Sequence, residues 1–286
     1  MALYTTLIDA STLAGLNAAV IVDCRFNLMD TARGEAAYVA GHIPGAVYAH
    51  LERDLSNPPT TDHGRHPLPP PARLCEVFGR LGIGNGVQVV AYDDASGMMA
   101  ARLWWMLRYM GHDAVAVLDG GLAAWTAAGL PLEAGARVPA PAHFTGTARH
   151  TRLVQLDEVA ASVAGEGGLA LTDARDPARY RGEVEPIDKR AGHIPGARNH
   201  GWQGNLAADG RFLEPAALRE AFTGSLGTLP GSTTVHYCGS GVTACHNVLA
   251  QVHAGLPEPR LYCGSWSEWS RDPQRPAATG AYTPTA

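Results

Sequence analysis

The hexapeptide GHIPGA occurs twice, at 41–46 and 192–197, and this duplication restricts the possible architectures more than any other feature. Upstream of each copy an apolar segment ends in Asp-x-Arg: VIVDCR at 20–25 and LALTDAR at 169–175. Downstream comes a helical stretch and then a second apolar run, VQVVAYDD at 87–94 and TTVHYC at 233–238. Each half closes in a similar way, on AVLDGGLAAW at 116–125 and RLYCGSWSEW at 260–269. The chain therefore reads as two homologous halves. A Pro- and Ala-rich stretch at 133–146 marks the join. The expected division is an N-terminal domain at 1–135, a linker at 136–150 and a C-terminal domain at 151–286.

Short apolar runs alternate with segments of helical period, most clearly at 71–83, 97–112 and 215–227. That alternation predicts an α/β fold in which each half is a mainly parallel sheet flanked by helices. In such sheets ligands sit beyond the carboxyl ends of the strands, where loops run into helices. The loop after TTVHY, starting at Cys238, lies at that kind of place.

Composition removes several classes of function. A formal net charge of −5 over 286 residues leaves no basic surface of the kind nucleic acid or an anionic membrane requires. No apolar run approaches the eighteen or so residues of a membrane span. The first twenty residues lack the pattern of a signal peptide, with Asp9 interrupting the apolar stretch. Five cysteines make an odd count without a CxxC pair, which predicts reduced thiols and a cytoplasmic location.

The loop reads CGSGVTA, from Cys238 to Ala244. Gly239 and Gly241 permit backbone turns that aim successive N–H groups inward, which forms an anion-binding concavity. A helix starting near Val242 adds its positive end. Ser240 and Thr243 supply hydroxyls. A sulfur held there is poised to attack or to carry an anionic persulfide. A metal site would draw on His236, Cys238, Cys245, His246 and His253, but their spacing matches no zinc pattern. A cysteine phosphatase needs an arginine six residues beyond the cysteine to grip phosphate, and Ala244 stands there. A buried filler cysteine would need neither the glycines nor the hydroxyls.

On these residues the chain resembles the tandem-domain sulfurtransferases of the rhodanese family along nearly its whole length. CGSGVTACH at 238–246 resembles the active-site loop of the 3-mercaptopyruvate sulfurtransferases. Thiosulfate sulfurtransferases of that family typically carry basic residues just after the cysteine, where this chain has Gly239 and Ser240. The resemblance implies two tandem rhodanese-like domains, the C-terminal one catalytic and the N-terminal one without the cysteine. Asp93 or Asp94 stands at the corresponding place in the first half. It further implies a persulfide on Cys238, formed from a small-molecule sulfur donor and passed to a thiol such as thioredoxin, or to cyanide. Thiosulfate as donor and a non-catalytic persulfide carrier are the alternatives. No metal and no cofactor are implied, and a monomer or weak dimer is expected.

The resemblance also distributes roles. Cys238, Ser240 and Thr243 are expected to carry the chemistry, with Gly239, Gly241 and Val242 forming the anion-binding loop. Arg179 matches the first of two family arginines for the donor's carboxylate, with Arg181 as its neighbour. The second falls where this chain has Ile187 and Asp188, so Lys189 or Arg190 is expected to stand in. His42 is expected to touch substrate or relay a proton, whereas His193 ties its turn to the strand end. Asp23 with Arg25 and Asp173 with Arg175 are expected as buried ion pairs. Arg65 and His66, within 57–71, are placed along the cleft.

Overall fold

The computed structural model describes residues 3–60, 63–228 and 231–283, which fall into two compact units. The first holds the chain up to Asn57, Leu68–Arg149 and Ala207–Phe212; the second holds Pro58–Pro67, His150–Leu206 and the residues from Leu213 onward. Each half thus lends a short segment to the unit built mainly from the other. A linear division at 136–150 does not anticipate that exchange.

The first unit contains β1 (Leu7–Ile8), α1 (Ala10–Ala14), β2 (Ala19–Asp23), α2 (Arg33–Ala40) and β3 (Val47–Tyr48). It continues through α3 (Pro71–Arg80), β4 (Gln88–Tyr92), α4 (Ala100–Tyr109), β5 (Val115–Leu118) and α5 (Gly121–Ala127). The second contains α6 (Leu156–Val163), β6 (Ala170–Asp173), α7 (Pro177–Tyr180), β7 (Arg198–Asn199) and α8 (Pro215–Leu226). It ends with β8 (Thr234–Tyr237), α9 (Ala244–His253), β9 (Arg260–Leu261) and α10 (Ser265–Trp269).

Both sheets are parallel throughout, ordered β1-β5-β4-β2-β3 in the first unit and β7-β6-β8-β9 in the second. Read from β9, the second order repeats β5-β4-β2-β3, and a parallel bridge from Leu153 to Leu261 takes the place of β1. The strands are buried, with all of β8 and nearly all of β4 enclosed, as apolar runs covered on both faces require.

The expected helices form with boundaries that local chemistry explains. Pro71 and Pro215 start α3 and α8, where a missing N–H costs nothing. Gly227 ends α8 at φ +73°. The helix expected from residue 97 begins only at Ala100, because residues 95–100 first wrap the Asp93 carboxylate. Five of the six tryptophans are buried in the units, and Trp202 is half-buried.

The duplicated motif closes the same circuit twice. Arg25 grips Asp23 at 2.6 Å and the Gly41 carbonyl at 2.7 Å; Arg175 grips Asp173 and the Gly192 carbonyl, both at 2.6 Å. Tyr38 donates to the Ala46 carbonyl as Tyr180 does to Ala197. The Ile43 and Ile194 amides donate to the hydroxyls of Tyr92 and Tyr237. Both ion pairs are buried, so removal of one partner strands a charge and costs about 3–5 kcal/mol.

Candidate active site

Cys238 follows β8 directly and is 2% exposed. Its backbone N–H donates to Ser265 Oγ at 3.1 Å, while its carbonyl and that of Gly239 accept from the Trp266 and Ser267 amides. The loop is thereby pinned to the start of α10 on one side and enters α9 on the other. Gly241 sits at φ +77°, and a Cβ there would come within 2.4 Å of the Cys263 carbonyl oxygen, so no other residue fits. Its N–H donates to Cys238 Sγ at 3.2 Å. Behind the loop, Cys245 Sγ donates to the Gly241 carbonyl at 3.3 Å. Val242 is buried, and Thr243 caps α9 by position without a side-chain hydrogen bond.

The first unit shows what this loop is shaped to hold. Asp93 follows β4 as Cys238 follows β8, one residue after Tyr92 and Tyr237 respectively. Its carboxylate accepts from the amides of Ala95, Gly97, Met99 and Ala100 at 2.7–2.8 Å. Burial pushes the Asp93 carboxyl up, against the pull of those four donors. Gly97, at φ +85°, is the counterpart of Gly241, and α4 and α9 start three residues later in each case. The first loop is a concavity filled by its own anion; in the second, a thiol replaces that anion.

Ser240 Oγ lies 2.7 Å from His66 Nδ1, and both residues are buried. Beside them, two guanidinium groups meet over Gly239. A Cβ on that glycine would lie 2.8 Å from Arg65 Nη2 and 3.7 Å from Arg179 Nη2. Arg179 pairs with Glu185 at 2.6 Å and with Asp188 at 3.5 Å; Arg65 pairs with Asp188 as well. Glu185 also reaches Arg175 at 3.2 Å, which joins this cluster to the buried Asp173–Arg175 pair. Burial, the largest influence, holds the Asp188 carboxyl above its ordinary value against Arg65 and Arg179, with Glu185 adding to the rise. The Glu185 carboxyl is also penalised by burial, yet amides of Asp188 and Ile187 and the Arg179 guanidinium bring it below its ordinary value.

The other candidates lie elsewhere. Arg181 is turned outward and forks onto Glu183 at 2.6 and 2.9 Å. Lys189 is exposed and Arg190 donates to the Arg275 carbonyl at 2.6 Å, so the cation at Gly239 opposite Arg179 is Arg65. His42 is 1% exposed, stacks on Tyr38 with ring centroids 4.2 Å apart, and bonds the Tyr38 carbonyl through Nδ1. His193 does the same with Tyr180, so both histidines serve their own turns. Trp202 meets the His246 ring edge-on at 5.3 Å.

Several of the residues that a metal site would draw on are engaged otherwise: His236 with Gln251, His246 with Asn205, and Cys245 with Gly241. Among the described residues no three of His, Cys, Asp and Glu converge to hold a metal ion. Nor is any described helix long and apolar enough to cross a membrane.

Comparison with known proteins accords with this geometry. The rhodanese-like domain matches twice, at residues 8–128 and 155–272. A probable 3-mercaptopyruvate sulfurtransferase of Pseudomonas aeruginosa is 51% identical over 263 residues, covering 91% of this chain and 92% of its own. A putative thiosulfate sulfurtransferase, SseB of Mycobacterium tuberculosis, is 44% identical over 278 residues, covering 96% of this chain and 97% of its own. Among solved structures, Escherichia coli SseA, a 3-mercaptopyruvate sulfotransferase, superposes with a TM-score of 0.80 at 32% identity; the match covers 93% of this chain and 100% of that one.

Proposed function

The chain belongs to the rhodanese family, as a sulfurtransferase with two copies of the domain, and from that premise we propose that it moves sulfur from 3-mercaptopyruvate through a persulfide on Cys238 to a thiol acceptor. The observation that carries this reading is the meeting of Arg65 and Arg179 over Gly239, next to the nucleophile. A keto acid with a terminal thiol needs that combination: a fork for its carboxylate and a thiolate within reach of its sulfur.

In the first half-reaction the Cys238 thiolate attacks the donor's sulfur. A sulfur–sulfur bond forms, the carbon–sulfur bond breaks, and its electron pair remains on carbon as the enolate of pyruvate. The thiol proton of the donor then reaches that carbon, and the Ser240–His66 pair, hydrogen-bonded at 2.7 Å, is the relay. What remains is an anionic persulfide. Gly241 N–H already points at Sγ, and the amides of Thr243 and Ala244 correspond to those that hold Asp93 in the first unit. The donor's carboxylate takes a place beside Arg65 and Arg179 that Asp188 shares when the site is empty of donor.

A second reading, thiosulfate as donor, is favoured by the same two guanidiniums, which could receive its sulfonate although Gly239 and Ser240 cannot. Supporting a thiol acceptor such as thioredoxin are the requirements of the second half-reaction, which needs only a nucleophilic sulfur. Five thiols without a CxxC pair support a reducing compartment such as the cytoplasm.

The decisive measurement is steady-state sulfur transfer to cyanide from each donor, with Cys238→Ser as the blank. A larger kcat/KM for 3-mercaptopyruvate upholds the assignment. A larger value for thiosulfate replaces it with the second reading, and turnover with neither leaves a persulfide carrier.

A further inference from the structure

Beyond the catalytic loop the second unit holds a cavity of about 610 Å³ lined by Lys189, Arg190, Ser267, Ser270, Arg271 and Pro273. That volume is within the ~300–1,000 Å³ range of sites for medium-sized ligands, and larger than a three-carbon acid fills. Three of the six described lining residues are cationic, in a chain of net charge −5. None of the three forms an ion pair among the described residues, and the described acids next to them in sequence are engaged elsewhere. Asp188 pairs with Arg65 and Arg179, Glu268 with His63 and Asp272 with Arg275. Arg190 and Arg271 each direct one nitrogen to a backbone carbonyl, of Arg275 and Thr60 respectively, which fixes the guanidiniums without neutralising them.

One lining residue ties the cavity to the catalytic loop. Ser267 lines it, donates its backbone N–H to the Gly239 carbonyl at 2.9 Å and accepts from the Arg65 amide through Oγ at 3.0 Å. A ligand seated against Ser267 therefore lies next to the residue that follows the nucleophile.

Resting on the sulfur-transfer reading above, the geometry points to this cavity as the acceptor's seat, built for a thiol of tripeptide size that carries two or more carboxylates. Lys189, Arg190 and Arg271 bind the carboxylates, and Ser267 and Ser270 supply hydroxyl contacts along the body of the ligand. The acceptor's thiol sulfur attacks the outer sulfur of the Cys238 persulfide. The new sulfur–sulfur bond forms on the acceptor, the bond to Cys238 Sγ breaks, and Cys238 leaves as a thiolate with the bonding pair. The acceptor's thiol proton passes from the attacking sulfur to the transferred one, which becomes the product's terminal sulfur, so charge and protons balance without a further reactant. Arg65 and Arg179 thus serve the donor, and Lys189, Arg190 and Arg271 the acceptor.

The test uses reduced glutathione as the anionic acceptor and 2-mercaptoethanol as the uncharged one. Enzyme is first loaded from the donor and persulfide on Cys238 is read by mass; its absence defeats the sulfur-transfer reading and leaves the cavity to the binding experiment below. Loaded enzyme is then mixed with each thiol. Lys189→Ala and Arg271→Ala are each expected to lower the ratio of the glutathione rate to the 2-mercaptoethanol rate roughly ten-fold. An unchanged ratio in both overturns the proposal, as does an equal loss of both rates. Independently, S-methylglutathione, which cannot react, is titrated calorimetrically into Cys238→Ser enzyme. Binding that weakens steeply with salt and disappears in the Lys189→Ala/Arg271→Ala background is expected. Equal binding in both backgrounds, or none in either, overturns the assignment; Lys189→Gln and Arg271→Gln repeat the comparison if an alanine variant does not fold.

Discussion

Ser240 Oγ and His66 Nδ1 are hydrogen-bonded at 2.7 Å across 174 residues of chain. A hydroxyl–imidazole pair beside the nucleophile offers the proton path that the enolate requires. Ser240→Ala and His66→Gln are each expected to lower kcat for pyruvate formation about 100-fold. The double variant is expected to lose little more than either single one, because the two groups act as a unit. Rapid-quench measurement of the pyruvate burst checks this, and fully multiplicative losses would show that they act separately.

Arg179 and Asp188 should act in opposite directions on donor affinity. Arg179→Ala removes one arm of the carboxylate fork and is expected to raise KM for the donor by roughly 10–100-fold. Asp188→Asn removes the carboxylate that competes for Arg65 and Arg179, and is expected to lower KM several-fold. A rise in KM on Asp188→Asn would mean that Asp188 positions the two guanidiniums more than it occupies them.

Asp93 accepts hydrogen bonds from four loop amides. Asp93→Ala leaves them buried and unpaired, and is expected to cost roughly 2–4 kcal/mol of stability. Chemical denaturation of the full chain measures it. A loss below about 0.5 kcal/mol would indicate that water replaces the carboxylate.

His236 makes stability depend on acidity. It is fully buried in β8, its Nε2 donates to Gln251 Oε1 at 2.9 Å, and its Nδ1 has no partner among the described residues. Burial, partly offset by that bond, lowers its pKa from an ordinary 6.5 to about 4. Between these two values the unfolded chain takes up a proton that the folded one refuses. Stability is thus expected to fall as pH drops from about 6.5 to 4, by on the order of 3 kcal/mol from this residue. His236→Gln should flatten that part of the Tm profile, and a slope identical to wild type would assign it to other groups.

Much of this architecture is legible in the chain itself, because GHIPGA, Asp-x-Arg and the strand before each loop recur in order. The pairing of Asp93 with Cys238 follows from counting one residue past Tyr92 and Tyr237. The loop glycines announce themselves too, since positive φ and a close carbonyl tolerate nothing larger. Arg65 is different. The resemblance places it only along the cleft, while the sequence shows Asp188 where a cation is expected and puts Lys189 and Arg190 nearby. The cation at that position comes from more than a hundred residues upstream, and neither periodicity nor spacing encodes a partner at that separation. Arg181 misleads for the opposite reason: it lies close in sequence, but α7 turns it outward.

The segment Pro58–Pro67 gives the duplication a further meaning. Two copies of a fold ordinarily remain separable, and one can be discarded once the other holds the nucleophile. Here the copy without the nucleophilic cysteine contributes the stretch of chain that carries Arg65 and His66. Splitting the gene between its halves would disarm a catalyst whose nucleophile was left untouched, and a lesion in the first half can silence chemistry encoded in the second. Partial loss of function in one copy has become inheritance held in common, which neither half can leave.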